Sequence, residues 1–167
     1  TTGSYTDSYE ALSLMGEGIL SLDLSYDSIL AGYSGDMGYG WSHNYESHIE
    51  KEYGRILYYI SPGVYATFIS SDSLERRIYG RVEDNKIILS GGSQGDVTYE
   101  SISRGLDGYI LTEHTDGTFT METPEGDIYT YDADGGLSGI VSGDGREITL
   151  SHTENQTIIT EVSSGKR

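Results

Sequence analysis

The chain has 167 residues, a length typical of one domain, and a formal net charge of -17. It contains no cysteine, which excludes disulfide bridges and thiolate-bound metals. Its 27 Asp and Glu against 10 Lys and Arg argue against the basic surface that binds nucleic acid or an anionic membrane. No apolar run approaches the ~18 residues of a membrane-spanning helix. With 35% hydrophobic and 11% aromatic residues, the composition is that of a folded domain.

The first half of the chain predicts β-strands. Residues 19–27 alternate between apolar and polar side chains, a pattern typical of a half-buried strand. One face of this strand carries Leu20, Leu22, Leu24 and Tyr26. Further β-rich runs cover residues 55–60, 64–69, 77–82, 86–89, 97–102 and 109–113. Between two of these runs, Asp84 and Asn85 predict a tight hairpin turn, because both residues tolerate left-handed backbone angles.

The segment before residue 19 leaves a short helix open as an alternative. Asp7 and Glu10 have the spacing of a helix capping box ahead of residues 11–15. Gly16 and Gly18 follow at once, so such a helix would have barely two turns.

An acidic residue followed by glycine recurs through the second half at intervals of nine or ten residues. The pairs are Asp107-Gly108, Asp116-Gly117, Glu125-Gly126, Asp134-Gly135 and Asp144-Gly145. Each pair is a strong turn signal, because glycine adopts a positive φ at no steric cost. The segments between the turns, 118–123, 127–131, 137–141 and 147–151, are therefore predicted to be strands. Turns at this spacing are typical of an all-β repeat architecture that grows by adding hairpins.

These elements predict an all-β fold of antiparallel hairpins, a meander or curled sheet with little or no helix. No segment has the composition or length of a linker. Residues 1–167 are therefore predicted to form one domain, with pre-repeat strands in 1–106 and hairpin repeats in 107–167.

One segment rich in aromatic and polar residues is the main candidate binding site. Its members are Gly38, Gly40, Trp41, His43, Asn44 and Tyr45. The rings, the imidazole and the amide suit the face of a sugar. A structural role is favoured, in which the glycines make a bend, Trp41 and Tyr45 fill the core, and His43 and Asn44 hydrogen-bond to loop backbone. On a strand, Trp41, His43 and Tyr45 would share one face.

Two patterns resemble metal sites only weakly. His43 and His48 stand near Glu46 and Glu50, but their five-residue spacing places them on opposite faces of a strand.

The second pattern starts at Asp132 and Asp134, as a calcium loop would, yet Gly136 and Gly143 occupy positions that should supply ligands. We assign no metal site and no cofactor. The acidic surface leaves weak calcium binding open, without a defined site.

Signals for catalysis are thin. No serine lies in a Gly-x-Ser-x-Gly motif, and no pair of carboxylates is distinguished from the many others. Residues 91–95 are rich in glycine but lack the lysine of a phosphate-binding loop. The prediction is that the protein is not an enzyme and has no catalytic residues.

Several strings together resemble a known family. Residues 126–140 contain Gly126, then Tyr131-Asp132, then Gly135, followed by Leu137 and Ile140; this order resembles the YD repeat, the unit of the RHS family. Residues 37–46, Met-Gly-Tyr-Gly-Trp-Ser-His-Asn-Tyr-Glu, resemble the Gly-x-Gly-Trp-(Ser/Thr)-His-Asn-Tyr signature that precedes RHS repeats. Residues 24–28 are similar to the Tyr-Asn-Ser element before that signature. Residues 145–153 resemble a degenerate further unit, and residues 47–106 match poorly.

The resemblance implies a structural role in a secreted or cell-surface bacterial protein. RHS proteins build long antiparallel β-strips that spiral into a shell, which often encloses a C-terminal toxin or effector. This segment would then open the shell, and its partners would be further repeats of the same chain. An unpaired strand edge near Arg167 would favour self-association. An extracellular glycan-binding or adhesion module, with a cell-surface glycan as partner, is the alternative; neither nucleic acid nor membrane insertion is expected.

Overall fold

The computed structural model describes residues 3–13, 20–52, 54–70, 79–83, 86–90, 95–153 and 156–162. Within them the chain is all-β and every strand pairing is antiparallel. The one helical element among these residues is a short 3-10 helix at Ser28–Leu30. The predicted fold class is therefore confirmed.

The strands follow one another in close succession. In chain order they are β1 (Thr6–Ser13), β2 (Ser21–Asp27), β3 (Ser34–Gly35), β4 (Gly38–Tyr39), β5 (Trp41–His43), β6 (His48–Glu52), β7 (Arg55–Ser61), β8 (Val64–Ile69), β9 (Tyr79–Glu83), β10 (Lys86–Ser90), β11 (Val97–Ser101), β12 (Ile110–Glu113), β13 (Phe119–Glu122), β14 (Ile128–Tyr131), β15 (Leu137–Val141), β16 (Glu147–Thr153) and β17 (Gln156–Val162).

Most of the strands belong to one large sheet. Ten strands form it, in the order β17-β16-β15-β14-β13-β12-β11-β8-β7-β6. A separate three-stranded sheet has the order β1-β2-β5, and β3-β4 and β9-β10 form two-stranded hairpins. The division predicted between residues 106 and 107 is not a boundary between sheets, because β11 pairs with β12 across it.

The short helix left open as an alternative for residues 7–15 does not form in the described part of that range, residues 7–13. Thr6–Ser13 forms β1, which pairs along its length with β2. Pairing with β2 along this segment outweighs the local capping signal. Strands β3 to β6 and β17 were not predicted. The predicted turn at Asp84-Asn85 lies outside the described residues, although Glu83 and Lys86 on either side of it pair.

The acidic-glycine spacing predicts the turns of the repeat half correctly. The five glycines of the pairs all have positive φ, between 82° and 90°. Four of the turns share one pattern of two backbone hydrogen bonds. The N–H of the first residue donates to the carbonyl of the fourth residue after it, and the N–H of the third residue after it donates to the carbonyl of the first. In these turns, residues 114–118, 123–127, 132–136 and 142–146, the two backbone N···O distances lie between 2.7 and 3.0 Å. Three-residue loops of this kind need a glycine in the left-handed region.

The core is built from alternate residues of the large sheet. Every strand from β6 to β16 in this sheet contributes a buried apolar side chain. Phe119 and Met121 in β13, and Ile148 and Leu150 in β16, show the two-residue period that places them on one face. Burial of each large side chain contributes about 1.5–3 kcal/mol. The curl of the sheet lets strands that are distant in order share this core.

The curl brings one edge of the large sheet back onto it. Strand β6 is the outer strand, yet its Ile49 N–H donates to the Gly135 carbonyl at 2.9 Å, and His48 and Gly136 form an isolated antiparallel bridge. Gly135 and Gly136 lie in the turn between β14 and β15. The sheet is thus a curled half-barrel that is tied at this point.

Candidate functional site

Gly38 and Gly40 form the corner that precedes Trp41. Their φ values are 104° and 73°, in the left-handed region that favours glycine. The Asp27 N–H donates to the Gly40 carbonyl at 2.9 Å, and a Cβ on Gly40 would lie 2.8 Å from the Tyr26 ring. Gly40 therefore meets both a backbone and a packing requirement, and it places Trp41 directly after the corner.

Four aromatic rings form a row on the three-stranded sheet, which we call the aromatic row. It contains Tyr5, Tyr26, Trp41 and Tyr9 in that order, with ring centroids 6.1, 5.2 and 6.0 Å apart. Trp41 and Tyr26 are half-buried, whereas Tyr5 and Tyr9 are 63% and 50% exposed. The expectation that Trp41 fills the core is wrong, because its ring lies in this surface row.

Asp36, His43 and Glu46 bring three possible metal ligands within 4.8 Å of one another. The Glu46 carboxylate accepts the Asp36 N–H at 2.9 Å and the His43 N–H at 3.2 Å. His43 Nδ1 accepts the Tyr45 N–H at 3.2 Å, so the proton of the neutral ring lies on Nε2, 3.5 Å from Asp36 Oδ2. A protonated nitrogen has no lone pair for a metal. The hydrogen bonds therefore favour a structural cluster that holds the loop.

The pairing of His43 with His48 on a single strand is wrong. Strand β5 ends at His43 and β6 begins at His48, in a different sheet. His48 Nε2 lies 3.7 Å from Glu50 Oε1, and its ring stacks on Tyr59 at a centroid distance of 4.5 Å.

Asn44 and Tyr45 connect the small sheet to the large one. The Asn44 amide oxygen accepts the Asp23 N–H, and its amide nitrogen donates to the Ser21 carbonyl, both at 3.0 Å. Tyr45, the next residue, is buried in the core of the large sheet. Asn44 thus hydrogen-bonds to backbone and Tyr45 fills the core, which are the structural roles expected from the sequence.

The residues of the YD-like unit build the turn at residues 132–136. Tyr131 is fully buried, and its hydroxyl lies 3.1 Å from Ser47 Oγ. Asp132 Oδ1 accepts the N–H groups of Asp134 and Gly136 at 3.0 and 2.9 Å. Gly126, with φ of 87°, serves the preceding turn in the same way that Gly135 serves this one. These carboxylate contacts occupy Asp132 with backbone donors, as in a turn rather than a calcium loop.

Contacts from three residues of the segment 47–51 tie the curled sheet. Ser47 contacts Tyr131, Ile49 bonds to Gly135, and Lys51 Nζ forms an ion pair with the Glu113 carboxylate. Glu113 also accepts the Tyr99 hydroxyl at 2.9 Å. We call these contacts the closure site. Sequence analysis missed it, because the pairs are 62 to 86 residues apart and no local pattern links them.

A cavity of about 500 Å³ lies beside the closure site, between β6 and the tips of two turns. Its lining includes four acidic residues and one basic residue: Glu50, Glu52, Glu113, Asp134 and Lys51.

The side chains whose pKa differs from its usual value have a pKa that is shifted further from 7. Burial raises the pKa of Tyr45, Tyr58 and Tyr129, and it raises the pKa of Tyr131 well above its usual value. Hydrogen bonds from Arg146 and Ser142 hold the pKa of the Asp144 carboxyl below its usual range. A general acid or base at neutral pH needs a pKa near 7, so these shifts give no support to that chemistry. Within the described residues, no helix is long and apolar enough to cross a membrane.

Comparison with known families adds one match. A family model described as a domain of unknown function (DUF6531) matches residues 1–68. The matched range covers the aromatic row, the corner at Gly38 and Gly40, and the large-sheet strands β6 and β7 with most of β8. It leaves the hairpins from β11 onward outside. A search of curated proteins finds no match to the chain.

Proposed function

We propose that this chain is the opening segment of an RHS-type β-shell in a secreted or cell-surface bacterial protein. Its role is structural: it begins a wall of hairpins that contains or displays an effector elsewhere in the same polypeptide. The acidic composition keeps a large polar surface soluble.

The observation that carries the proposal is the difference between the two edges of the large sheet. Strand β6 is tied back onto the sheet through Ile49 and Gly135. Strand β17 is the other outer strand. From β11 to β17, each strand lies beside the one that precedes it in the sequence. A sheet that is tied at one edge and extends by successive hairpins toward the other suits the first part of a growing strip.

The chemistry of the motif residues agrees with this role. Gly40, His43 and Asn44 hold backbone in place, and Tyr131 with Asp132 builds a core position and a turn. A structural motif has to have these contacts, whereas a catalytic residue needs a free functional group aimed at a substrate.

The test combines the native mass with a closure variant. An antibody against the 167-residue chain, used on blots of source cells and medium, is expected to detect a secreted or cell-bound polypeptide far larger than 18.3 kDa. In that full-length protein, Gly135→Ala is expected to open the tied edge and make the effector segment sensitive to trypsin. Gly145→Ala is the matched control, because Gly145 has a similar φ and no atom within 4 Å of its Cβ position.

Two results would refute the shell. One is a native polypeptide of about the same mass as this chain. The other is an effector segment that trypsin cuts equally in the parent protein and in the Gly135→Ala variant.

A glycan-binding function is the second candidate, and one observation favours it: Tyr5 and Tyr9 expose their rings on the same face as Trp41. This role is compatible with a shell that displays the surface, and the charge of that surface narrows the class of ligand.

A further inference from the structure

The aromatic row is arranged around a carboxylate. Asp7 lies on β1, two residues after Tyr5 and two before Tyr9. It is the register partner of Tyr26, which in turn pairs with Trp41. Residues directly opposite each other in a sheet project to the same face, so Asp7 emerges among the rings. Its Oδ2 lies 3.4 Å from the Tyr5 hydroxyl, and the side chain is exposed.

The stretch of sequence that builds the row contains no basic residue. The first 50 residues contain eight Asp and Glu and no Lys or Arg, and the first basic residue is Lys51, which pairs with Glu113 at the closure site. The faces of aromatic rings carry a negative quadrupole, so the rings and the carboxylate attract the same kind of charge. Charge complementarity therefore favours a cationic ligand and opposes an anionic one.

The packing of the rings determines the shape of that ligand. Neighbouring centroids lie 5.2 to 6.1 Å apart, so the rings contact one another and leave no gap in which a compact ammonium ion would be enclosed. Tyr5, which directly precedes β1, and Tyr9 on β1 lie four residues apart, about 13 Å along an extended chain. A ligand that uses both has to be extended and to lie flat on the surface.

We propose that the aromatic row binds an oligosaccharide of amino sugars whose amino groups are free and protonated. The apolar faces of successive sugar rings stack on Tyr9 and Tyr5, and an ammonium group pairs with Asp7. The binding site is independent of the shell role, because it lies on the small sheet and uses none of the closure contacts.

The site has a built-in reporter. Trp41 is the single tryptophan of the chain and lies inside the row, in contact with Tyr26 and Tyr9. Its fluorescence can be followed while the 167-residue protein is titrated with a β-1,4-linked glucosamine hexamer. The fully N-acetylated hexamer and hexalysine are the comparison probes, since the first keeps the sugar rings without the charge and the second keeps the charge without the rings.

The glucosamine hexamer is expected to bind, and each comparison probe to bind at least about fivefold more weakly. Tyr9→Ala is expected to weaken binding of the glucosamine hexamer by about fivefold. Tyr65→Ala is the matched control, because Tyr65 is 54% exposed but lies on β8 in the large sheet. Asp7→Asn is expected to weaken binding by about threefold, with Asp107→Asn as a control at an exposed carboxylate far along the chain.

Four results would overturn the proposal. Absence of binding at millimolar ligand excludes the site, and equal binding of hexalysine shows that charge alone is recognised. Equal binding of the N-acetylated hexamer removes the role of the ammonium group. An unchanged affinity in Tyr9→Ala, with the circular dichroism of the parent, places binding elsewhere on the protein.

Discussion

Two turns of the repeat half have the same local structure and different surroundings. The turn at residues 132–136 and the turn at residues 142–146 share the same pair of backbone hydrogen bonds, and their glycines have φ of 90° and 86°. A Cβ on Gly135 would lie 1.9 Å from the Ile49 carbonyl oxygen, whereas a Cβ on Gly145 would meet no atom within 4 Å. We call the first of them the closure turn.

The difference shows that the sequence period specifies a turn without specifying what the turn does. Both turns have an acidic residue before the glycine, and both are formed by their own backbone. Only the closure turn meets β6, because the curl of the sheet brings that edge to this position. Substitutions made in parallel in the two turns separate the local contribution from the tertiary one.

The largest expected effect comes from alanine at the two glycines. Gly145→Ala is expected to lower the free energy of unfolding by about 1–2 kcal/mol, the cost of a left-handed backbone at a residue with a side chain. Gly135→Ala has the same cost and also pushes β6 away, which adds about 1–3 kcal/mol by analogy with overpacking. Urea titrations of both variants measure the difference. Equal losses in the two variants would mean that Gly135 and Ile49 do not meet in solution.

The first residue of each turn gives a smaller contrast. Asp132→Ala removes a charged acceptor that holds two backbone N–H groups, and we expect a loss of about 2 kcal/mol. Ser142→Ala removes an exposed hydroxyl whose partners are Asp144 and the Arg146 carbonyl, and we expect about 0.5 kcal/mol. Thermal or urea unfolding checks the ranking. A loss in Ser142→Ala as large as that in Asp132→Ala would contradict the importance of the closure turn.

The burial of Tyr131, which precedes the closure turn, leads us to expect that stability depends on pH. Burial raises its pKa in the folded protein well above the unfolded value of about 10. Above pH 10 the unfolded chain loses the proton while folded Tyr131 keeps it, so the free energy of unfolding falls as pH rises. Tyr131→Phe is expected to cost about 1 kcal/mol at neutral pH through the lost contact with Ser47, and to make the alkaline fall shallower.

The measurement is a set of urea titrations between about pH 8 and pH 11. Tyr65→Phe serves as the control, because its side chain is exposed and packs in no core. If Tyr131→Phe and the parent protein lose stability in parallel, the Tyr131 hydroxyl is open to water in the folded state.

The smallest expected effect concerns the ion pair at the other end of the closure site. Lys51→Ala removes the pair with Glu113, which is largely buried and also bonded to Tyr99. Arg55→Ala removes an exposed pair with Glu52 within one hairpin. We expect about 1 kcal/mol for Lys51 and close to zero for Arg55, because exposed pairs contribute little. Urea titrations of both variants at low and high salt test this ranking. If high salt removes the whole effect of Lys51→Ala, the pair of Lys51 with Glu113 behaves as an exposed surface pair.

The strands differ in how far their sequence predicts them. Residues 64–69 and 137–141 were predicted with the bounds that β8 and β15 have, because β-branched and aromatic residues mark the first and the acidic-glycine turns on either side mark the second. Strand β6 was missed, since Ile49 is its single buried residue and the rest of His48–Glu52 is polar. Its strand conformation depends on pairing with β7 and on the bond to Gly135, which are not local properties.

The candidate site shows the same division. The residues of the segment 38–45 were identified as a group from the sequence, together with the structural role of Asn44 and Tyr45. The position of Trp41 in a surface row was not predicted. A tryptophan on a strand gives the same alternation of apolar and polar residues whether its face of the sheet is covered or open to solvent. The arrangement of Tyr5, Tyr26 and Tyr9 around it depends on the register of three strands.

The sequence by itself determined the all-β class, the antiparallel hairpins and the five acidic-glycine turns of the repeat half, because these follow from two-residue periodicity and from the positive φ that glycine alone adopts readily. The tertiary structure decided which turn closes the sheet and which rings meet around Asp7. Those contacts join residues far apart in the chain, and they arise from the curl and register of whole sheets, which no short stretch of sequence encodes.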